Sequence, residues 1–64
     1  SMRVGDLVRL RPGVHTLSRG IGLVVADDTP TVGYCSIKVL WFGHREPFTY
    51  GSTGITKLEV VNAN

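Results

Sequence analysis

The most reactive side chains of this sequence are one thiol and two imidazoles, on Cys35, His15 and His44. A thiol and an imidazole can act as a nucleophile and its base, but only where the fold brings them within hydrogen-bond reach. The three residues are far apart in the sequence, so no local motif brings them together. No two of them have the separation of about two to four residues that is typical of zinc ligands. The sequence therefore predicts no catalytic residue, no metal site and no cofactor. Cys35 is expected as a small apolar side chain, and both histidines are expected in exposed loops.

A glycine-rich segment, residues 51–54, has a composition that also occurs in phosphate-binding loops. Such loops need a following lysine and a long helix whose N-terminus faces the anion. Neither feature is predicted here, and turn formation explains both glycines. We therefore predict one short 3₁₀ turn within residues 51–56, before the last strand.

Length and composition indicate one small domain, residues 1–64, in which Ser1 is typical of a residue left by a cleaved purification tag. The single cysteine excludes an internal disulfide and fits a reducing compartment. No segment has the pattern of an export signal or a membrane helix, so we expect a cytoplasmic protein without membrane contact. The hydrophobic content of 42% is high for a chain this short. A homo-oligomer or a protein partner is expected to cover part of that apolar surface.

The glycines, prolines and β-branched residues predict an all-β fold, because no stretch has a sustained helical period. Pro12 and Gly13 end the first strand, and residues 12–19 form a long first loop. The predicted strands cover residues 7–11, 20–26, 34–42, 48–50 and 58–61. Their inward faces predict a core of Val8, Leu10, Ile21, Leu23, Val25, Ile37, Val39, Trp41, Phe48, Ile55, Leu58 and Val60.

The order of four motifs resembles that of Src-homology-3-like barrels. The motifs are Gly5-Asp6-Leu7-Val8, Gly20-Ile21-Gly22-Leu23-Val24, Ile37-Lys38-Val39-Leu40-Trp41 with Gly43, and Leu58-Glu59-Val60-Val61. Together they are similar to the strands of short barrel proteins of bacteria and tailed phages, a group that includes KOW-like and Tudor-like modules. The resemblance implies a small, strongly bent, five-stranded barrel and an accessory protein of a bacterium or its phage.

A second resemblance is to the plasmid-borne type II dihydrofolate reductases, short chains that assemble as tetramers around a pore. Their opening strand is similar to Gly5-Asp6-Leu7-Val8-Arg9, and their ending is similar to Tyr50 with Leu58-Glu59. The pore motif of that family, Val-Gln-Ile-Tyr, falls on residues 47–50, which contain no glutamine. Only Tyr50 carries over, so this oligomeric enzyme is the least favoured of the alternatives.

Tudor-like barrels use aromatic side chains to enclose methylated side chains through cation–π attraction. The resemblance implies such a cage here, with Glu46 as its acid. The alternative is that Trp41 and Phe48 fill the core, because aromatic side chains bury the largest area per residue, and we favour the core. The aromatic residues in question are Tyr34, Trp41, Phe42, Phe48 and Tyr50.

Seven Lys and Arg against five Asp and Glu give a net charge of +2. Solvated charges explain this small excess better than a phosphate-binding stripe does. The nucleic-acid alternative gains if Arg9, Arg11 and Lys38 share an exposed sheet face, and it weakens if Asp27 and Asp28 lie among them. Its candidate phosphate contacts are Arg9, Arg11, Arg19, Lys38 and Arg45.

The sequence thus favours a non-enzymatic interaction module that binds a protein partner or another copy of itself. Contacts are expected at the loop of residues 15–19 and at the turn of residues 43–46, because loops at the end of a rigid barrel commonly carry recognition. The predicted binding residues are Arg19, Trp41, Phe42, His44 and Tyr50. Self-association through apolar residues outside the barrel has the candidates Leu17, Val24, Leu40 and Phe42.

Overall fold

Five strands and one short helix form in the part of the chain that a computed structural model describes, residues 2–13, 19–30 and 34–64. The elements are β1 (Leu7–Leu10), β2 (Gly22–Asp27), β3 (Ser36–Trp41), β4 (Phe48–Gly51), α1 (Ser52–Ile55) and β5 (Leu58–Asn62). Each strand overlaps one predicted strand, so the predicted five-stranded, mainly β architecture is confirmed. The turn predicted as 3₁₀ is instead one turn of α-helix, a difference of one residue in the span of its hydrogen bonds.

Two predicted features lie outside the described residues. They are the loop positions His15 and Leu17. Within the described ranges, no helix has the length and apolar character needed to cross a membrane.

All five strands belong to one antiparallel sheet, in the order β4-β3-β2-β1-β5. The last strand therefore pairs with the first, and β4 and β5 are the two edges. Register shifts interrupt the pairing between Leu7 and Val8 in β1 and between Val24 and Ala26 in β2. Such irregularities bend a strand and increase its twist.

The core lies on one face of this sheet. In β3 the buried side chains alternate with half-buried ones, as the sequence predicts. Four partly buried hydrophobic residues, Met2, Leu10, Tyr50 and Ile55, pack against the centre. The fully or almost fully buried apolar residues are Val8, Val24, Ile37, Val39, Trp41 and Leu58.

The predicted inward face of β2 was wrong. Val24, predicted as a surface contact for self-association, is fully buried, whereas Val25 is only half-buried. Two further members of the predicted core, one on each edge strand of the sheet, also lie at the surface. The predicted core residues that are instead exposed are Ile21, Leu23, Phe48 and Val60.

Gly22 explains the orientation of β2. It pairs directly with Trp41 of β3. A Cβ atom on Gly22 would lie 2.5 Å from Val39 Cγ1 and 2.9 Å from Trp41 Cε3. The glycine faces inward because the indole occupies the space that a side chain would need.

Asp6 joins the two ends of the described chain just before β1. Its side chain is buried, and its carboxylate accepts hydrogen bonds from the backbone N–H of Asn64 at 2.7 Å and of Arg3 at 2.9 Å. The hydrogen bond from Asn64 and then that from Arg3 lower the pKa of this carboxyl group. Both terminal segments therefore depend on one ionised side chain.

Candidate protein-binding surfaces

Three neighbouring strands each place a leucine on the sheet face that points away from the core. Leu7 of β1 pairs with Leu23 of β2, which in turn pairs with Leu40 of β3. On each strand a residue next to the leucine is a fully buried valine. Because side chains alternate along a strand, the three leucines form a row across the outside of the sheet.

Ile21 and Phe42 lie beside this row, each two residues along the chain from one of its leucines, Leu23 and Leu40 respectively. The backbone N–H of Phe42 donates to the carbonyl of Ile21 at 2.9 Å, which keeps the two residues together. Phe42 is 88% exposed and Ile21 is 39% exposed. A shallow depression of about 230 Å³ runs between these side chains and the leucines. We call Leu7, Ile21, Leu23, Leu40 and Phe42 the outer apolar face.

Three of the five cationic side chains that were predicted as phosphate contacts form ion pairs with carboxylates of the chain. Arg9 Nη2 lies 2.7 Å from Glu59 Oε2, and Arg11 Nη1 lies 3.7 Å from Glu59 Oε1. Lys38 Nζ lies 3.6 Å from Asp28 Oδ2, which is the arrangement expected to weaken the nucleic-acid alternative. Exposed pairs contribute little to stability, but each one holds a carboxylate where a phosphate would bind.

A second depression, also of about 230 Å³, lies alongside β4. Arg19 Cζ stands 4.5 Å from the centroid of the Phe48 ring, and His44 meets the same ring edge-on at 5.6 Å. A cation–π contact holds the guanidinium in place without neutralising it. We call this depression the β4 groove. Its lining residues are Leu10, Arg19, Phe48, Thr49, Tyr50, Gly54 and Lys57.

Trp41 was predicted as a binding residue, but its side chain is fully buried. Its indole Nε1 donates to Tyr50 Oη at 3.0 Å, and the two rings meet edge to face with centroids 6.3 Å apart. The preference for the core over a cage is therefore confirmed for Trp41, whereas Phe48 is 38% exposed. The contribution of Trp41 to the β4 groove is to hold Tyr50 in position.

Tyr50→Phe is expected to lower the free energy of unfolding by about 1–3 kcal/mol, because the buried indole N–H loses its acceptor while the ring shape is kept. Denaturant unfolding followed by the fluorescence of Trp41 measures this loss. Thr49→Val changes the neighbouring, exposed residue of the same strand and serves as the control. Equal stability of Tyr50→Phe and the unmodified protein would show that the hydrogen bond contributes nothing.

Cys35 and His44, the candidate nucleophile and the candidate base within the described residues, are not brought together. Cys35 precedes β3 and His44 follows it, so a strand of six residues, about 20 Å long, separates them. Cys35 is half-buried, and its backbone N–H donates to Ser52 Oγ at 3.0 Å. Across the described ranges, no group of three or more His, Cys, Asp or Glu side chains is placed to hold a metal ion.

The predicted binding residues divide between two surfaces. Phe42 belongs to the outer apolar face, and Arg19 and Tyr50 line the β4 groove. His44 lies between the two surfaces, because it lines the depression of the outer apolar face and also meets the ring of Phe48. Arg45 is exposed and stands outside both. Sequence reasoning missed Lys57, which α1 and the following turn bring to the groove. It also placed Leu23 in the core and left Leu7 out of the candidates for self-association, although it included Leu40.

Comparison of the chain with models of protein families, with curated proteins and with solved structures finds no match.

Proposed function

We propose that this protein is a non-enzymatic interaction module that binds a second copy of itself through the outer apolar face. The observation that supports this most is the position of Phe42, a large aromatic side chain that is 88% exposed and lies beside three aligned leucines. Covering apolar surface is favourable by about 25 cal/mol for each Å² removed from water. Contiguous exposed apolar residues accordingly mark interaction sites.

A second copy suits this face because the surroundings of the face carry both signs of charge. Arg9 and Lys38 each lie two residues along their strand from a leucine of the face, and their partners Glu59 and Asp28 lie beside them. In a two-fold dimer, the same face is buried on both sides, and the cations of one copy can approach the acids of the other. Association would also add apolar burial to a chain that is too short to bury a large core alone.

Phe42→Ser is expected to weaken dimerisation by about tenfold or more, because it removes the most exposed aromatic contact of the interface. Sedimentation equilibrium at high micromolar concentration measures the effect. Tyr34→Ser is the matched control, since Tyr34 is 68% exposed but precedes β3, whereas Phe42 follows it. An unmodified protein that sediments as a 7.0 kDa monomer would overturn the proposal.

The proposal includes the bending of the sheet into a Src-homology-3-like barrel, as the sequence resemblance implies. Two register irregularities, in β1 and β2, support such bending. Ile37 of β3 and Leu58 of β5 belong to the same core cluster although two strands lie between theirs. Long-range nuclear Overhauser contacts between these two side chains in solution would test the curvature.

The two alternatives remain distinguishable from this module by simple assays. Nucleic-acid binding has less support, because ion pairs engage Arg9, Arg11 and Lys38. Binding to oligonucleotides that decreases steeply with salt would favour it. Turnover of dihydrofolate with a nicotinamide cofactor would contradict the non-enzymatic proposal.

A further inference from the structure

We infer that the β4 groove binds an extended, acidic segment of a partner protein, which lies along the free edge of β4. The groove and the outer apolar face share no lining residue. This inference therefore does not depend on self-association and adds a second binding site to the module.

The positive charge of the groove has no internal counter-charge. Arg19 and Lys57 both line the groove. Among the described residues, neither of them forms an ion pair with a carboxylate, because the ion pairs present use Asp28 and Glu59 for other cations. An incoming carboxylate can therefore form charge-assisted hydrogen bonds here without displacing an acid of the chain.

The shape of the groove follows the edge of the sheet. Phe48, Thr49 and Tyr50 all line it, although successive side chains of a strand point to opposite faces. A depression that touches three consecutive residues must run along the edge of the strand rather than across one face. Within the described sheet β4 pairs with β3 alone, so its outer edge has backbone groups available to another strand.

The size and lining of the groove define what the segment contains. Its volume of about 230 Å³ is below the range of about 300–1,000 Å³ that is typical of pockets for small molecules. The groove can therefore accept one or two side chains of the bound segment, and the rest of the segment lies outside the groove. Leu10 and the rings of Phe48 and Tyr50 supply apolar contact, so a segment in which Asp or Glu alternates with apolar residues matches both features.

A protein segment fits these charges better than a nucleic acid. Single-stranded nucleic acid is bound by a basic groove that follows successive phosphates. Here Arg9, Arg11 and Lys38 are ion-paired, whereas Arg19 and Lys57 lie together in the groove and, among the described residues, neither is paired with a carboxylate. Two neighbouring cations correspond to one or two carboxylates rather than to a chain of phosphates.

The test is a nuclear magnetic resonance titration of the ¹⁵N-labelled full chain with a capped hexapeptide of alternating aspartate and valine. We expect saturable shifts of the amide signals of Phe48, Thr49, Tyr50 and Lys57, and none with a peptide of alternating lysine and valine. The double variant Arg19→Gln with Lys57→Gln is expected to bind about tenfold more weakly or worse. Arg45→Gln, which removes an exposed cation outside the groove, is the matched control and is expected to bind as the unmodified protein does.

Methylation of alternate peptide nitrogens tests the edge pairing. Two peptides are compared, one methylated on the odd-numbered backbone nitrogens and one on the even-numbered nitrogens. The peptide that loses the amide protons facing β4 is expected not to bind, and the other peptide is expected to bind. The absence of saturable shifts, or equal affinity of the folded double variant, would overturn the inference. Tighter binding of an oligothymidine at the same four signals would also overturn it, in favour of nucleic acid. Phe42→Ser is expected to retain the peptide titration, which separates this site from the proposed dimer face.

Discussion

Gly22→Ala is expected to remove a large part of the free energy of unfolding. The new methyl group would stand 2.5 Å from Val39 Cγ1 and 2.9 Å from Trp41 Cε3, both in the centre of the core. Overpacking of a core costs about 1–3 kcal/mol and occasionally more, and a domain of this size has only about 3–5 kcal/mol in total. Far-ultraviolet circular dichroism and the fluorescence of Trp41 during denaturant unfolding measure the loss.

Two further variants separate crowding from the general effect of replacing a glycine. Gly51→Ala places its Cβ 3.9 Å from the nearest atom, the carbonyl oxygen of Cys35, and is expected to leave stability unchanged. Val39→Ala removes the atom that lies closest to the new methyl group. The double variant with Gly22→Ala is therefore expected to lose less free energy of unfolding than the sum of the losses in the two single variants. A Gly22→Ala protein as stable as the Gly51→Ala protein would contradict this account of β2.

The reversal of β2 shows where prediction from sequence alone ends. The strand is apolar on both faces, so alternation by itself leaves the inward face undecided. Choosing the face with the larger side chains placed Ile21 and Leu23 inside. The deciding fact is the pairing of Gly22 with Trp41, a contact between residues far apart in sequence that local patterns cannot reveal.

Other parts of the fold follow from local patterns. In β3 the alternation of large apolar residues with Ser36, Lys38 and Leu40 identifies the buried face correctly. The exposure of Phe42 follows from its position beyond the end of that strand. Lys57 is different, because only the turn after α1 and the register of β1 with β5 bring it near Arg19. The β4 groove therefore depends on tertiary structure, whereas part of the outer apolar face can be recognised in the sequence.

Asp6→Asn is expected to reduce stability at neutral pH and to flatten its dependence on acid. The carboxylate accepts one backbone N–H on each oxygen, from Asn64 and from Arg3. An asparagine amide can accept only one of these hydrogen bonds and would turn its NH₂ group toward the other donor. The buried position of Asp6 leaves little room for water to replace the lost acceptor.

The sign of the pH effect follows from the direction of the pKa shift. Hydrogen bonds from Asn64 and Arg3 hold the pKa of Asp6 below its ordinary value of 3.8. The carboxylate therefore stabilises the fold fully above that value, and the stabilisation is lost as the pH falls through the lowered pKa. Denaturant midpoints between about pH 2 and pH 7 should thus fall less steeply in Asp6→Asn than in the unmodified protein.

Asp28→Asn is the matched control for this measurement, because Asp28 forms only an exposed ion pair with Lys38 and should leave the acid dependence as it is. If Asp6→Asn and Asp28→Asn gave the same profile, the link between the chain ends would not depend on ionisation. If the Asp6 profile alone is flattened, one ionised side chain joins the segment before β1 to the residues after β5. The stability of the pair of strands β1 and β5, which contain Arg9 and Glu59, would then depend on Asp6 as well, since Asp6 holds the chain ends next to these strands together.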